Sequence, residues 1–256
     1  MKRHMIDLPA LTLAAVAGLV GGAMNALAGG GTFATMPALI ALGLPSPIAN
    51  ATSNVALQPG AMSAAWSFRK DLEPLGGISI RTLAAITFIG GLLGSALLVI
   101  TPTHTFDIII PWLLLIAFLA IAFGKSAADQ LKARVSIGLP TLMIAQSLLG
   151  LYGGYFGGGV GIMTTATYGL LAGMPPHRLM APRTLMLAIA NTAAAIVFIG
   201  FGMVAWWICL PMMTGAIAGG WLGAHYGKKL SPQVIRLWTL FVTAATTIIF
   251  FIRAYG

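Results

Sequence analysis

Two triple glycines, Gly29-Gly30-Gly31 and Gly157-Gly158-Gly159, stand 128 positions apart in a chain that is 58% hydrophobic and only 7% charged. Uncharged hydrogen-bonding residues gather near the first: Asn25, Thr32, Thr35, Asn50, Thr52, Ser53 and Asn54. Near the second lie Thr164, Thr165, Thr167, Thr184 and Asn191, with one cation, Arg183, inside an apolar run. Glycine lets backbone amides approach a ligand with no side chain in the way. Helix N-termini add unsatisfied N–H donors and partial positive charge, which suit an anion. A guanidinium is a planar fork matched to a sulfonate, sulfite or carboxylate. An arginine at membrane depth is a functional candidate by default. Plainer readings stand beside these. Small residues let membrane helices pack closely, and Ser, Thr and Asn bond across helices. Arg183, five residues after Arg178, is also close enough to a segment end to snorkel to the surface.

The remaining chemistry-bearing residues offer little else. Cys209 is alone, which excludes a disulfide framework and a thiolate metal knuckle. The four His are scattered without metal-ligand spacing, so no metal or cofactor is expected. His177, after Pro175-Pro176, is a loop histidine able to carry a coupled proton. The five carboxylates, Asp7, Asp71, Glu73, Asp107 and Asp129, lie at segment ends or in loops, which disfavours a relay of membrane-depth acids. There is no nucleotide-binding phosphate loop. There is also no serine nucleophile element or paired intramembrane Asp. An enzyme is therefore not expected.

The elements that must hold the glycines are legible from hydropathy. A soluble domain carries about 25% charged residues, and this chain of 256 residues has too few to cover a water-facing surface. Apolar segments fall at about 8–28, 32–44, 47–67, 82–100 and 106–123, then 136–156, 160–173, 178–200, 203–223 and 234–252. Most match the roughly 20 residues that cross a bilayer core. The reading is an all-α polytopic integral membrane protein of eight to ten helical segments. The net charge of +9 sits in short basic clusters between apolar runs, as in cytoplasmic loops, rather than on a nucleic-acid-binding face. No nucleic-acid partner is expected. The N-terminal stretch resembles a signal peptide, with Ala26-Leu27-Ala28 fitting a cleavage site. It is expected to remain, because the apolar stretch is long and recurs later.

Three matches in order argue that the chain is duplicated. The triple glycines pair first, Gly43-Leu44-Pro45 pairs with Gly173-Met174-Pro175, and Gly90-Gly91-Leu92-Leu93-Gly94 pairs with Gly219-Gly220-Trp221-Leu222-Gly223. The halves are residues 1–124 and 136–256, joined by a charged linker at 125–135. The second segment of each half is short, bounded by a triple glycine and a Gly-x-Pro turn, and expected near the midplane. If all ten segments cross with the N-terminus outside, every Lys and Arg except Lys2, Arg3 and Arg253 faces the cytoplasm. The halves are then inverted repeats. If the short segments re-enter, the halves are parallel. The inverted arrangement is preferred, although Lys2 and Arg3 oppose it. Paired short, Gly/Pro-interrupted segments in corresponding positions are the best sequence pointer to a transporter binding site.

The Gly29–Gly31 element, the Gly43-Leu44-Pro45 turn, Ala51-Thr52-Ser53, Gly157–Gly159 and the C-terminal pattern Gly219-Gly220-Trp221-Leu222-Gly223-Ala224 with Lys228-Lys229-Leu230 resemble the TauE/SafE sulfite exporter family, also called the toluenesulfonate uptake permeases. The likeness covers nearly the whole chain and lies in the order and spacing of weak motifs. It implies a multi-pass permease of the plasma (inner) membrane for small anions, often sulfite, sulfoacetate or other organosulfonates. The duplicated halves suggest a secondary anion transporter with alternating access between them. Carried onto this sequence, the substrate lining is Gly29–Thr32, Thr52–Asn54, Gly157–Gly159 and Arg183, to which the residue chemistry adds Asn25, Thr184 and Asn191. Asn54 after the Ala-Thr-Ser tripeptide and Ala181-Pro182-Arg183 in its place in the second half depart from the usual pattern. The expected partners are a small anionic substrate and the lipid bilayer; a coupled proton, whether through His177 or carried on the anion, and simple uniport stay open. Uptake of a carboxylate or neutral metabolite, and a scaffold that transports nothing, are the alternatives.

Overall fold

The computed structural model describes residues 7–132, 138–171, 178–227 and 231–256. Among these the chain forms ten α-helices and no strand: α1 (Leu8–Leu27), α2 (Thr32–Ala41), α3 (Ser46–Ser67), α4 (Ile80–Ile100), α5 (Thr103–Lys132), α6 (Leu139–Tyr155), α7 (Val160–Leu171), α8 (Met180–Gly200), α9 (Trp206–Gly227) and α10 (Pro232–Tyr255). Six of them, α1, α4, α5, α8, α9 and α10, carry apolar stretches of 20 to 23 residues, long enough to cross a bilayer. The helices fall on the ten apolar segments. Helix α5 runs further than its apolar segment and carries the charged stretch after it in helical form as far as Lys132.

Helix α7 is described over 12 residues; helix α2, with 10, is shorter than hydropathy implies. The reason is visible at Gly43, whose φ of +87° is open to glycine at little cost. There the Leu44 amide donates to Leu39 O at 3.2 Å and the Gly43 amide to Ile40 O at 2.9 Å, which closes the helix before the apolar run ends.

The principal helix pairs come in matched sets. Exchanging α1–α5 with α6–α10 maps each principal helix pair onto another: α1/α9 onto α6/α4, α4/α8 onto α9/α3, and α5/α7 onto α10/α2. The pairs α3/α8 and α5/α10 map onto themselves. Helix ends repeat too. The Ala28 and Gly29 amides both reach Met24 O, at 2.8 and 3.2 Å, and the Phe156 and Gly157 amides both reach Tyr152 O, at 2.9 and 3.2 Å.

Among the glycines matched at the end of each half, Gly94 and Gly219 are packing residues. A Cβ on Gly94 would lie 2.0 Å from Leu151 O of α6, and one on Gly219 would lie 1.8 Å from Leu19 O of α1. Backbones this close are how membrane helices associate where lipid is as apolar as the side chains. Helix α1, the stretch that resembles a signal peptide, is thus pressed along α9.

Contacts also give the running directions. Gly215 meets Ala15 and Gly223 meets Ala23, so α1 and α9 run parallel. Asn54 meets Asn191 while Gln58 meets Ala188, so α3 and α8 run antiparallel. Arg236 donates to Ala122 O while Tyr255 donates to Ile108 O, so α5 and α10 do the same. One end of the bundle therefore collects Arg69, Lys70, Glu73, Arg178 and Arg236. The other collects Ser46, His104, Asp107 and Arg253. Helix α2 lies inside the core, where Phe33, Met36 and Leu39 are buried with Phe106, Ile110 and Leu114 of α5, Phe198 of α8 and Met212 of α9.

Candidate functional site

The two glycine loops meet at the middle of the bundle. Gly29 at φ +81° and Gly157 at φ +76° hold equivalent positions just past α1 and α6, in backbone that L side chains avoid. A Cβ on Gly29 would lie 2.8 Å from the Cα of Gly161, in the first turn of α7. A Cβ on Gly159 would lie 2.9 Å from the Phe33 ring, in the first turn of α2. Each loop thus abuts the start of the other half's short helix.

Both short helices begin with buried, unpaired donors. Among the described residues, the amides of Gly30, Gly31 and Thr32 have no hydrogen-bond acceptor, and neither do those of Gly158, Gly159, Val160 and Gly161. First-turn N–H groups have no partner within their own helix. Here two such sets lie on loops that meet, Gly29 against Gly161 and Gly159 against Phe33. Tyr152 fixes the second loop, its hydroxyl donating to Gly158 O at 2.7 Å and lying 3.3 Å from Leu113 O.

Arg183 sits beside them, 7% exposed, in the first turn of α8. Its Cγ is 3.6 Å from the place a Cβ on Gly161 would take. Its Nη2 makes a long contact, 3.5 Å, with Ala26 O at the C-terminal end of α1. The one ion pair among the described residues is Arg178–Glu73 at 3.2 Å, so Arg183 has no carboxylate partner there. The side chain is buried and does not snorkel. One turn outward, a cavity of about 350 Å³ opens between Lys70, Asp71, Glu73, Arg178, Met180 and Ala181. The larger cavity, about 550 Å³, is an apolar groove between α1 and α9 that contains Leu11, Val16, Leu19 and Pro211 and no charged side chain. Its chemistry suits a lipid chain rather than a polar ligand.

The other singled-out residues divide. Asn54 and Asn191 join at 3.3 Å, and both lie beside Gly157. Ser53 bonds Thr35, which also donates to Gly31 O at 3.2 Å, tying α3 to the first loop. Thr32 is buried at the start of α2, and Asn25 packs on Gly31 through its Cβ. Thr52 is occupied elsewhere, accepting the Ala205 amide at 3.1 Å at the start of α9. Thr184 bonds back to its own helix at Met180 O and Ala181 O, at 2.9 and 3.0 Å. His177 and the Gly173-Met174-Pro175 turn lie outside the described residues. Asp107, taken from sequence as a segment-end carboxylate, accepts from Ser46 at the N-terminal ends of α3 and α5.

Three features escaped the sequence. Tyr168 of α7 donates to Gln146 at 2.6 Å, and Gln146 in turn bonds Thr87, which bonds Met186 Sδ at 3.1 Å. This chain pins α7 to α6, α4 and α8. Thr246 of α10 donates to Phe33 O at 3.2 Å in the first turn of α2. Gln58 joins Asn50 and Asn54 on one face of α3, four residues apart. A lone Gln in an apolar helix, and amides at four-residue spacing, were the available signals.

Ten helices, most of them apolar enough to span or enter a bilayer, closing around two unwound loops and a buried cation, define a polytopic membrane transporter. The family model described as "Sulfite exporter TauE/SafE" matches residues 14–250, and the chain belongs to that family. It is 29% identical over 247 residues to a probable membrane transporter protein of Haemophilus influenzae, covering 93% of this chain and 95% of that one. It is 27% identical over 227 residues to the probable membrane transporter protein YfcA of Escherichia coli K12, covering 88% and 84% of the two chains. It is likewise 27% identical over 237 residues to the probable membrane transporter protein ORF9 of a Sinorhizobium species, covering 91% and 89%. No solved structure matches the chain significantly.

Proposed function

We propose that this membrane transporter is a secondary permease of the plasma (inner) membrane for small sulfur oxyanions or organosulfonates, such as sulfite or sulfoacetate. The observation that carries the reading is the buried guanidinium of Arg183, without a carboxylate partner among the described residues, beside two sets of unpaired amides. A buried charge without a counter-charge is strongly unfavourable. A planar or tetrahedral oxyanion supplies that charge and accepts from the amides as well. The family description adds weight to sulfur oxyanions over other anions.

The binding residues of this reading are Asn25, Gly29, Gly30, Gly31, Thr32, Ser53, Gly157, Gly158, Gly159 and Arg183. Thr52 and Thr184 support helices behind them, and Asn54 and Asn191 pair with each other. The two halves, 1–124 and 136–256, act as inverted repeats joined through 125–135 and alternate in exposing the centre. Antiparallel packing of the equivalent pairs α3/α8 and α5/α10 supports inversion, because repeats related by an axis along the membrane normal would run these helices parallel. The basic end holding Arg69, Lys70, Arg178 and Arg236 is the cytoplasmic one, which places the N-terminus outside.

The test is thermal unfolding of the purified protein in detergent with sulfite, thiosulfate, sulfoacetate, an aromatic sulfonate, acetate and lactate, against chloride at matched ionic strength. A ligand at about 100 times its dissociation constant adds about 2.7 kcal/mol to the folded state. Stabilisation by sulfur oxyanions is expected. A response to carboxylates alone would transfer the site to that class, and no response to any anion would overturn the reading.

A further inference from the structure

Four buried side-chain atoms have no hydrogen-bond partner among the described residues: Asn50 Oδ1, Asn54 Oδ1, Gln58 Oε1 and Thr164 Oγ1. Three of the four are amide oxygens on one face of α3, at intervals of four residues. Each amide nitrogen is already committed. Asn50 Nδ2 donates to Tyr155 O at 3.2 Å, Asn54 Nδ2 to Asn191 Oδ1 at 3.3 Å, and Gln58 Nε2 to Ala188 O at 3.3 Å. Turning the Asn50 amide over would set oxygen against the Tyr155 carbonyl, and turning the Gln58 amide over would set it against the Ala188 carbonyl, so at these two positions the partners fix which end is left bare; Gln58 Nε2 also meets Thr192 Oγ1. A row of buried acceptors without donors is unfavourable by itself.

Acceptors dominate the surroundings, with Asn54 Nδ2 the exception. Helix α6 ends at Tyr155, beside Asn50, and presents the negative end of its dipole. Next to it Gly157 leaves a space that no side chain fills. A Cβ there would lie 3.4 Å from Gly153 O, 3.4 Å from Asn54 Nδ2 and 3.9 Å from Asn191 Oδ1. One turn toward the outer end of α3, Ser46 donates to Asp107, which puts a carboxylate at the mouth of the row. On the far side of the same glycine loop, α7 begins with its bare amides. The loop thus turns a negative helix end toward α3 and a positive one toward Arg183.

We propose that the oxygen at the centre of the row, Asn54 Oδ1, with its neighbour Gln58 Oε1 and the carbonyl end of α6, binds a monovalent metal cation of sodium size, and that this ion is the coupling ion. The whole row spans about 12 Å, too far for one ion to touch all three oxygens. Neutral carbonyl oxygens suit a hard cation. A divalent ion would want carboxylate ligands, and the nearest described carboxylate, Asp107, stands at the mouth. Unwound backbone and helix C-termini are suited to such an ion in a membrane. The bound cation offsets the charge of an anion one loop away, so the pair crosses the membrane at lower electrostatic cost than either ion alone. Amide oxygens do not titrate, so a sodium gradient replaces the proton as driving force. Binding of the cation stands independently of the transport reading; its coupling role rests on it.

The experiment is thermal unfolding of the full-length protein without any candidate anion, at fixed chloride and ionic strength. Sodium, lithium or potassium replaces N-methyl-D-glucamine. A saturable rise with sodium is expected. Asn54→Leu should abolish it, and Gln58→Met, at a half-buried position that tolerates exchange, should raise the half-saturating concentration about tenfold, a loss of about 1.4 kcal/mol. Arg183→Gln should keep the sodium response while losing the response to sulfite, which separates failure of the anion site from failure of this one. Identical unfolding in sodium and N-methyl-D-glucamine would mean that the oxygens hold water only. An unchanged sodium response in both α3 variants would put the ion elsewhere. Either result overturns the cation site. Anion uptake into proteoliposomes that ignores a sodium gradient overturns the coupling.

Discussion

Arg183 is the residue on which the transport reading turns. Sequence placed it in an apolar run and left two fates open, a ligand or a snorkelling surface charge. Its burial and its lack of a carboxylate partner among the described residues favour the first. Arg183→Gln keeps the volume and a hydrogen-bonding head but removes the charge. A bond to a charged group is worth about 1.5–3 kcal/mol. The half-stabilising sulfite concentration in thermal unfolding should therefore rise by at least about tenfold, while Arg183→Lys loses the bidentate fork and falls between. Tyr152 offers a gentler probe. Tyr152→Phe removes the bond to Gly158 O and should cost about 1 kcal/mol of stability, read as a lower midpoint in denaturant or heat, with the second glycine loop losing its tie to α6. Neither the hydroxyl's partner nor the commitment of Thr52 to the Ala205 amide was legible beforehand. Both link residues far apart in the chain, and a list of residue types carries no such pairing.

At the scale of elements, all ten helices were legible, because hydropathy in a membrane protein reports the solvent directly. The glycine matches were legible as a repeat but not as two different devices. Gly29 and Gly157 unwind the backbone, whereas Gly94 and Gly219 bring two backbones together. Adjacent glycines on α9 separate the packing role from mere composition. A Cβ on Gly219 would collide with Leu19 O at 1.8 Å, and one on Gly220 finds nothing nearer than Gly22 O at 3.9 Å. Gly219→Ala must push α1 from α9 and should lose folded yield, since overpacking costs about 1–3 kcal/mol or more. Gly220→Ala should be neutral or stabilising by up to about 1 kcal/mol, because alanine gives up less backbone freedom in a helix. Size-exclusion profiles and thermal midpoints of the two variants check the contrast. The Tyr168–Gln146–Thr87 chain that anchors α7 is replaced on α2 by different ties, Thr35 to Ser53 of α3 and Thr246 of α10 to Phe33 O, beside the packing of Phe33, Met36 and Leu39 in the core. The duplication motifs alone would have implied equal anchoring.

For the whole molecule, the open matter at the sequence level was whether equivalent helices run the same way. Loop charges favoured inversion but Lys2 and Arg3 opposed it, and local sequence has no further vote. The antiparallel course of α3 and α8 adds one that comes from tertiary contacts. The inverted arrangement makes a definite prediction for a cell. In a Cys209→Ala background, Lys70→Cys and Arg178→Cys should react with a membrane-impermeant thiol reagent only from the cytoplasmic face, and His104→Cys only from outside. Lys70 and His104 reacting from the same face would contradict the arrangement.

The most direct test of the central claim is uptake of radiolabelled sulfite into proteoliposomes holding the purified protein, with Arg183→Gln as the paired sample. The account predicts saturable uptake by the wild-type protein, competition by organosulfonates but not by chloride, and at least about tenfold weaker apparent affinity in the variant. Wild-type uptake no faster than in protein-free vesicles, or equal affinity in the two proteins, would contradict it.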